Sequence, residues 1–498
     1  MIFSDFKLEG NLPIYIQIKN YLSSLINMGL LPNGSKLPST RELSHLLNVS
    51  RNSVIAAYDE LKADGFLYSI NGKGTFVNSE KLISSSNWNI DWNDMENNFS
   101  KTANELDIVK NEIPWSSDLI SFKSISPDGD LFDMDEFKKS FMSRISVESH
   151  KLLNYGYAQG YKPLVDYLGE YMKKKGSFSK SKTTLVTNGF TEAFDLILSS
   201  FTNSGDIVIC ENPTHNTSIK IMKAHGINIK GVDIGKDGLD FDMLEKTIKK
   251  YGKSIKFAYI TPSYHNPTGS VMPPESRLRF YNLMKKYSIP IIEDGFNEEL
   301  LYSSSHIFPL SSFDTSGNGI IYIGSFSKIL FPGMRIGWIY ADKKIINRLI
   351  SVKRCRNIHT SFLDQGILFD YLNSGKFEKY IKKIRKVYGE KFSLAYNCVQ
   401  KYIKNDYILG DGGLHIFIKL KSINSRELLD KCYNKKVIFM PGDLFFTDDS
   451  GYDTLRLGLS RLSLDDIEKG IKIIGETVDE MLEEKNNLES FDKNILEK

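Results

Sequence analysis

The sequence predicts an α/β protein in two parts: a small helix-rich N-terminal unit, and a large body with a mostly parallel sheet covered by helices. Three observations carry this. At 498 residues the chain is longer than one hydrophobic core ordinarily serves. Between residues 116 and 480, apolar β-rich runs (Ile207–Ile209, Phe257–Ile260, Ile289–Ile292, Ile320–Ile323) recur with helical stretches between them. Residues 12–78 follow another pattern, three short helical stretches and then a hairpin signal.

Composition removes several classes. The net charge of +3 is not that of a polycation. No apolar run approaches the roughly 18 residues of a membrane helix, and Met1–Asp5 lacks the basic-then-apolar pattern of a signal peptide. Cys210, Cys355, Cys398 and Cys432 are far apart and form no C-x-x-C. A reduced cytoplasm is therefore expected, with neither a disulfide framework nor a cysteine zinc site.

In the N-terminal unit, Pro13 opens a helix with Ile18, Leu22, Leu25 and Ile26 on one face. Asn33-Gly34 marks a turn. Ser39-Thr40-Arg41-Glu42 is a capping box, and Leu43, Leu46 and Leu47 continue its helix to a break at Asn48-Val49. Ser50 caps a third helix bearing Val54, Ala57, Tyr58 and Leu61. Asn71-Gly72-Lys73-Gly74 then separates two strand-like runs, Phe66–Ile70 and Thr75–Val77. Two helices, a short turn and a hairpin make a winged helix-turn-helix.

This unit resembles the DNA-binding domain of the GntR family of bacterial regulators. The matching stretches are Leu37–Leu43, Val49–Val54 and Gly72–Val77. The resemblance implies binding to a double-stranded DNA operator. Helix 50–62 would enter the major groove with Ser50, Arg51, Asn52 and Ser53 at its leading end. Arg41 would meet a phosphate, and Lys73 at the wing tip a phosphate or the minor groove. Residues 1–80 hold seven Lys/Arg and seven Asp/Glu, so charge placement and dimeric binding must supply the affinity, with Glu60 and Asp64 facing away. The same fold used only for protein contact is the alternative.

Residues 79–115, with seven Asn, five Ser, seven acids and three Lys, read as a polar linker with room for a short helix. As a coil it would span about 35 Å, enough to carry the small unit to a neighbouring subunit. Residues 481–498 read as a charged, frayed tail.

Within the large body, Gly324–Arg335 is the richest segment in chemistry. Lys328 stands beside Ser325 and Ser327, with Arg335 seven residues on. An amine there can condense with an aldehyde as a Schiff base. The two hydroxyls and the guanidinium suit a phosphate on the same molecule. A Ser/Gly loop with a solvated lysine is the plain alternative. Thr187–Ala193 opens a helix after an apolar run, and a helix N-terminus with a glycine and a hydroxyl is an anion site, although an ordinary capped turn has the same composition.

The segment resembles the lysine segment of fold-type I pyridoxal-phosphate aminotransferases, and further stretches match in order. The resemblance implies that fold, with a smaller C-terminal α+β subdomain, and pyridoxal 5'-phosphate as cofactor. It implies that Tyr155, in Asn154–Gly160, reaches the phosphate of a neighbouring subunit. Gly189, Phe190 and Thr191 would hold the phosphate, together with Ser325, Ser327 and Arg335. His215 would stack on the pyridine ring, although a lone histidine is as often structural. Asn266, in Asn266-Pro267-Thr268-Gly269, would bond the phenolic oxygen. Asp294 would keep the ring nitrogen protonated so that the ring accepts electrons. Arg456, flanked by Leu455 and Leu457, needs a partner, either a ligand carboxylate or an internal acid.

Two departures bear on catalysis. Phe296 stands where related regulators carry a tyrosine, and Asn216 and Thr217 bring no second cation beside His215. Both halves together resemble MocR-type regulators, a GntR-like head fused to an aminotransferase-like body. The resemblance implies a homodimer, with exchange of domains within reach of the linker. A small amine, an amino acid or the cofactor itself would be the effector, shifting body packing and head spacing. A working aminotransferase with an N-terminal DNA-binding domain is the rival reading, and a repressor with an empty pocket a third.

Overall fold

The computed structural model describes residues 3, 5–78, 90–107, 116, 118–235, 238–302 and 307–496. The chain folds as two compact units, residues 1–96 and 97–498.

The first unit has helices α1 (Ile14–Asn27), α2 (Thr40–Leu46) and α3 (Arg51–Ala63), and an antiparallel hairpin β1 (Leu67–Ile70) and β2 (Gly74–Val77). Ile18, Leu22 and Ile26 of α1 pack with Leu43, Val54, Ala57, Tyr58 and Leu61. The capping box forms in both directions. Ser39 Oγ accepts the Glu42 N–H at 3.2 Å, and the Ser39 N–H donates to Glu42 Oε2 at 3.4 Å. Lys19 of α1 pairs with Glu60 at 3.1 Å and Asp64 at 2.7 Å. The two acids at the end of α3 thus lie against α1, away from the helix's leading end.

Two short helices lie in the stretch read as a linker with room for one. Helix α4 (Trp92–Met95) closes the first unit and α5 (Asn98–Glu105) opens the second. The polar residues read as coil act as caps. Asp91 accepts the Asn93 N–H at 2.9 Å, and Asn97 accepts the Ser100 N–H at 2.9 Å. Residues 79–89 and 108–115 lie outside the described residues.

The second unit continues with β3 (Ile120–Ser121), α6 (Met134–Leu152), α7 (Lys162–Lys174), β4 (Lys182–Thr187), α8 (Gly189–Phe201), β5 (Ile207–Asn212), α9 (Asn216–Ala224), β6 (Asn228–Gly235), β7 (Gly238–Leu239), α10 (Phe241–Tyr251), β8 (Ile255–Ile260), α11 (Pro274–Tyr287), β9 (Ile291–Asp294), β10 (Ile320–Ser325) and β11 (Gly337–Asp342). Strands β4 to β11 form one sheet in the order β4-β11-β10-β9-β8-β5-β6-β7. The run from β10 to β6 is parallel; β11 runs antiparallel to both β4 and β10, and β7 antiparallel to β6. Helices cover both faces, so β5 and β9 are buried at every position, acids included.

Helices α12 (Lys343–Arg356), α13 (Phe362–Asn373) and α14 (Lys376–Tyr402) lead to a smaller subdomain. It holds β12 (Asn405–Leu409), β13 (His415–Leu420), α15 (Ser425–Asn434), β14 (Val437–Ile438), β15 (Met440–Pro441), β16 (Thr454–Gly458) and α16 (Leu464–Leu496). Its antiparallel sheet runs β12-β13-β16-β15, and β14 pairs in parallel with β3. The expected tail from 481 is corrected here, because α16 runs through that boundary. Ile467, Ile471, Ile474, Val478 and Met481 keep one helical face in the subdomain core, and the charges around them are its solvent face.

Candidate cofactor and effector site

The carboxyl ends of parallel strands leave one edge of the sheet lined by loops and helix N-termini, where such folds bind ligands. Asp294 ends β9, Lys328 follows β10, the loop to His215 follows β5, and Gly189 follows β4.

Around Lys328 a cradle forms. The Ser327 N–H donates to Ser325 Oγ at 3.2 Å. Arg335 Nη1 donates to Ser327 Oγ at 3.2 Å and its Nη2 to the Asn188 carbonyl at 3.3 Å. Both of these partners are neutral, and no ion pair of the guanidinium is found among the described residues. Gly189, at φ +76°, lies directly beneath: a Cβ there would sit 2.7 Å from Arg335 Nη2. No N-cap side chain occupies the first turn of α8. Two hydroxyls, a guanidinium and a helix N-terminus therefore converge on one place. Burial lowers the Lys328 ammonium to about 8, helped by Arg456, Arg335 and Arg461. The charges acting on it are all positive, which favours the free amine a condensation needs.

Asp294 is 6% exposed. Burial raises its carboxyl to about 8, against the pull of the Tyr259 hydroxyl, which donates to Oδ2 at 2.9 Å. Its neighbour Glu293 differs, since the backbone N–H groups of Leu310 and Ser311 satisfy its two oxygens at 2.6 and 2.8 Å. Glu293 is structural, whereas Asp294 points to the site. From Tyr259 the bonding continues: the Ser218 hydroxyl lies 3.0 Å from the Tyr259 hydroxyl and 3.3 Å from His215 Nδ1. Burial, then Lys328 and Arg456, lowers His215 to about 3, so the ring is neutral.

Arg456 is 5% exposed on β16. Its Nη1 donates to Asn266 Oδ1 at 2.8 Å and its Nη2 to the Lys123 carbonyl at 3.0 Å, while Nε has no acceptor among the described residues. The guanidinium lies 4.8 Å from the Phe445 ring centre. Among the described residues no acid pairs with it, and burial lowers its pKa to about 9. The same bond orients the Asn266 amide, leaving Nδ2 as a donor on the other side.

The remaining site residues divide. The Phe190 ring lies 5.3 Å from His215 and stacks on Phe194 at 5.6 Å, so its side chain packs beside His215 and not in the cradle around Lys328. Thr191 projects outward on the first turn of α8. Tyr155 is 85% exposed, 6.0 Å from the His359 ring. In the first unit, Arg41, Arg51, Asn52 and Lys73 are exposed. The Ser50 and Ser53 hydroxyls bond each other at 2.8 Å and hold the start of α3.

Sequence reading missed Tyr259, Ser218 and a buried group around β13. His415 Nε2 lies 3.1 Å from the His265 carbonyl, and His265 Nε2 lies 3.3 Å from Glu211. The usable signal for Tyr259 was a hydroxyl inside an apolar strand, which has to find a partner.

Fold and site together define a protein of the aminotransferase type carrying a winged-helix head. The chain belongs to the family of class I and II aminotransferases, whose model matches residues 117–474, and residues 14–77 match the gntR family of bacterial regulatory proteins. Among similar proteins is the HTH-type transcriptional regulator YdfD of Bacillus subtilis, 29% identical over 97% of this chain and 99% of the relative. Aromatic-amino-acid aminotransferase 1 of Thermococcus litoralis is 30% identical over 73% of this chain and 89% of its own length. The solved structure of a multiple substrate aminotransferase from Thermococcus profundus superposes with a TM-score of 0.73 at 25% identity, covering 79% of this chain and all of that one.

Proposed function

We propose that the protein is a MocR-type transcriptional regulator that binds operator DNA through its first unit and pyridoxal 5'-phosphate with a small amine or amino acid in its second. One observation carries this reading. Among the described residues, the buried ionisable groups of the site lack partners of opposite sign: no cation meets Asp294 and no carboxylate meets Arg456. A ligand bringing a protonated ring nitrogen to the first and a carboxylate to the second would complete both.

The cofactor would supply an aldehyde and an electron-withdrawing ring. Lys328 offers the amine. Ser325, Ser327, Arg335 and the backbone N–H groups at the start of α8, at Gly189, Phe190 and Thr191, would hold the phosphate. Asp294, kept in place by Tyr259, would hold the proton on the ring nitrogen. His215, neutral at every physiological pH, would cover the ring, and Asn266 Nδ2 would donate to the phenolic oxygen. Arg456 would orient an effector by its carboxylate.

The regulator reading is favoured over turnover by the head and by Phe296. That side chain has no hydroxyl to assist at the phenolic oxygen. Exposed Tyr155 supports a homodimer in which this ring serves the neighbouring site, and the function places the protein in the cytoplasm.

Purified protein should be yellow, and Lys328→Ala should lose the colour and the cofactor trapped by borohydride. A colourless wild type would remove the cofactor from the reading. Binding to DNA upstream of its own gene should weaken steeply with salt. Sustained exchange between an amino donor and a keto acid would favour the enzyme.

A further inference from the structure

Helix α9 has a cofactor-facing end and a linker-facing end. At its start His215 is the N-cap, and Ser218 on its first turn joins His215 to Tyr259 and so to Asp294. Ser218 is fully buried. Ten residues on, about 15 Å along the axis, the outer part of the helix carries α5. The Phe99 ring meets His225 edge-on at 5.4 Å, and Asp107 accepts from Lys220 Nζ at 3.3 Å. His225 in turn bonds Asp195 of α8 at 2.6 Å, the helix whose first turn lines the phosphate cradle. Helix α5 buries none of its residues. It is a surface-docked segment, and the first unit ends at Glu96, two residues before it begins.

We infer that α9 couples occupancy of the ring pocket to the docking of α5, and through α5 to DNA affinity. This rests on the proposed cofactor reading. When a ring lies under His215, the His215–Ser218–Tyr259–Asp294 chain fixes the first turn of α9. A small displacement of a rigid helix is felt at both ends. A segment held only at the surface responds to displacements that a buried element would resist. Ligand differences between two positions of α9 thereby become differences in how α5, and the linker it ends, is held.

The test uses the full-length protein with and without pyridoxal phosphate, in wild type, Lys220→Glu and Phe99→Ala. Neither residue lies in the site. Hydrogen exchange of residues 98–107 should slow in the wild type on cofactor binding. Affinity for a fluorescent duplex from upstream of its own gene should differ about tenfold between the two wild-type states, and by less than about twofold in each variant, with the cofactor absorbance retained. Exchange unchanged by the cofactor, or variants with the wild-type affinity ratio, would overturn the coupling while leaving the cofactor site intact. A wild type that binds no cofactor sinks the underlying reading instead.

Discussion

Asp294 shows what burial costs a carboxyl that no cation among the described residues meets. Its folded-state carboxyl is raised from 3.8 to about 8. The folded protein therefore keeps a proton that the unfolded chain releases near pH 4. This group's contribution to stability is present below that pH and is lost as pH rises through about 8. Thermal melts of cofactor-free protein should show wild type losing about 2 kcal/mol relative to Asp294→Asn between pH 5 and 8.5, less than the full shift because the site relaxes. Parallel pH profiles would contradict this origin. Gly189 gives a steric counterpart. A Cβ there meets Arg335 at 2.7 Å on a backbone at φ +76°. Gly189→Ala should lower cofactor affinity at least about tenfold, and stability by about 1 kcal/mol, as followed by cofactor titration and melting.

At the scale of elements, the recognition helix and its approach are held by local bonds. Ser39→Ala removes one arm of the capping box on α2 and should cost about 1 kcal/mol, measured by urea denaturation followed in the first unit. Exposed Arg51 at the head of α3 and Lys73 on the wing should part in kind. Arg51→Ala should cost about 1–3 kcal/mol and relax sequence preference if it reads a base edge. Lys73→Ala should weaken all duplexes alike and reduce the salt slope by about 1. Equal effects on operator and random DNA for both would demote Arg51 to a phosphate contact.

For the whole molecule, among the described residues the core of the first unit draws on residues 3–77 and the cores of the second on residues from 120 onward. The chain from 97 to 498 should therefore fold alone and keep the cofactor absorbance while losing DNA binding. Insoluble expression of that fragment, rescued by the full chain, would show that the head contributes to the body's stability.

How much was legible follows from contact distance along the chain. The winged helix is written in caps, turn dipeptides and short periodicities, each acting within a few residues. The phosphate cradle is nearly as local, with Ser325, Ser327 and Arg335 inside one segment. The bounds of the linker helices and the continuation of α16 were not legible from polarity, because Asn and Asp mark coil and cap alike, and a charged stretch can hide one apolar face. The bonding around the ring pocket was out of reach. Tyr259 meets Asp294 across 35 residues and Ser218 across 41, and Arg456 meets Asn266 across 190. Sequence alone determined which groups this protein carries, an amine beside two hydroxyls and a guanidinium in one unit and a polar helix start in the other, since residue type sets chemistry. Only the tertiary structure decided which of those charges lie buried without a protein partner, since strand order and burial, not composition, place one group against another.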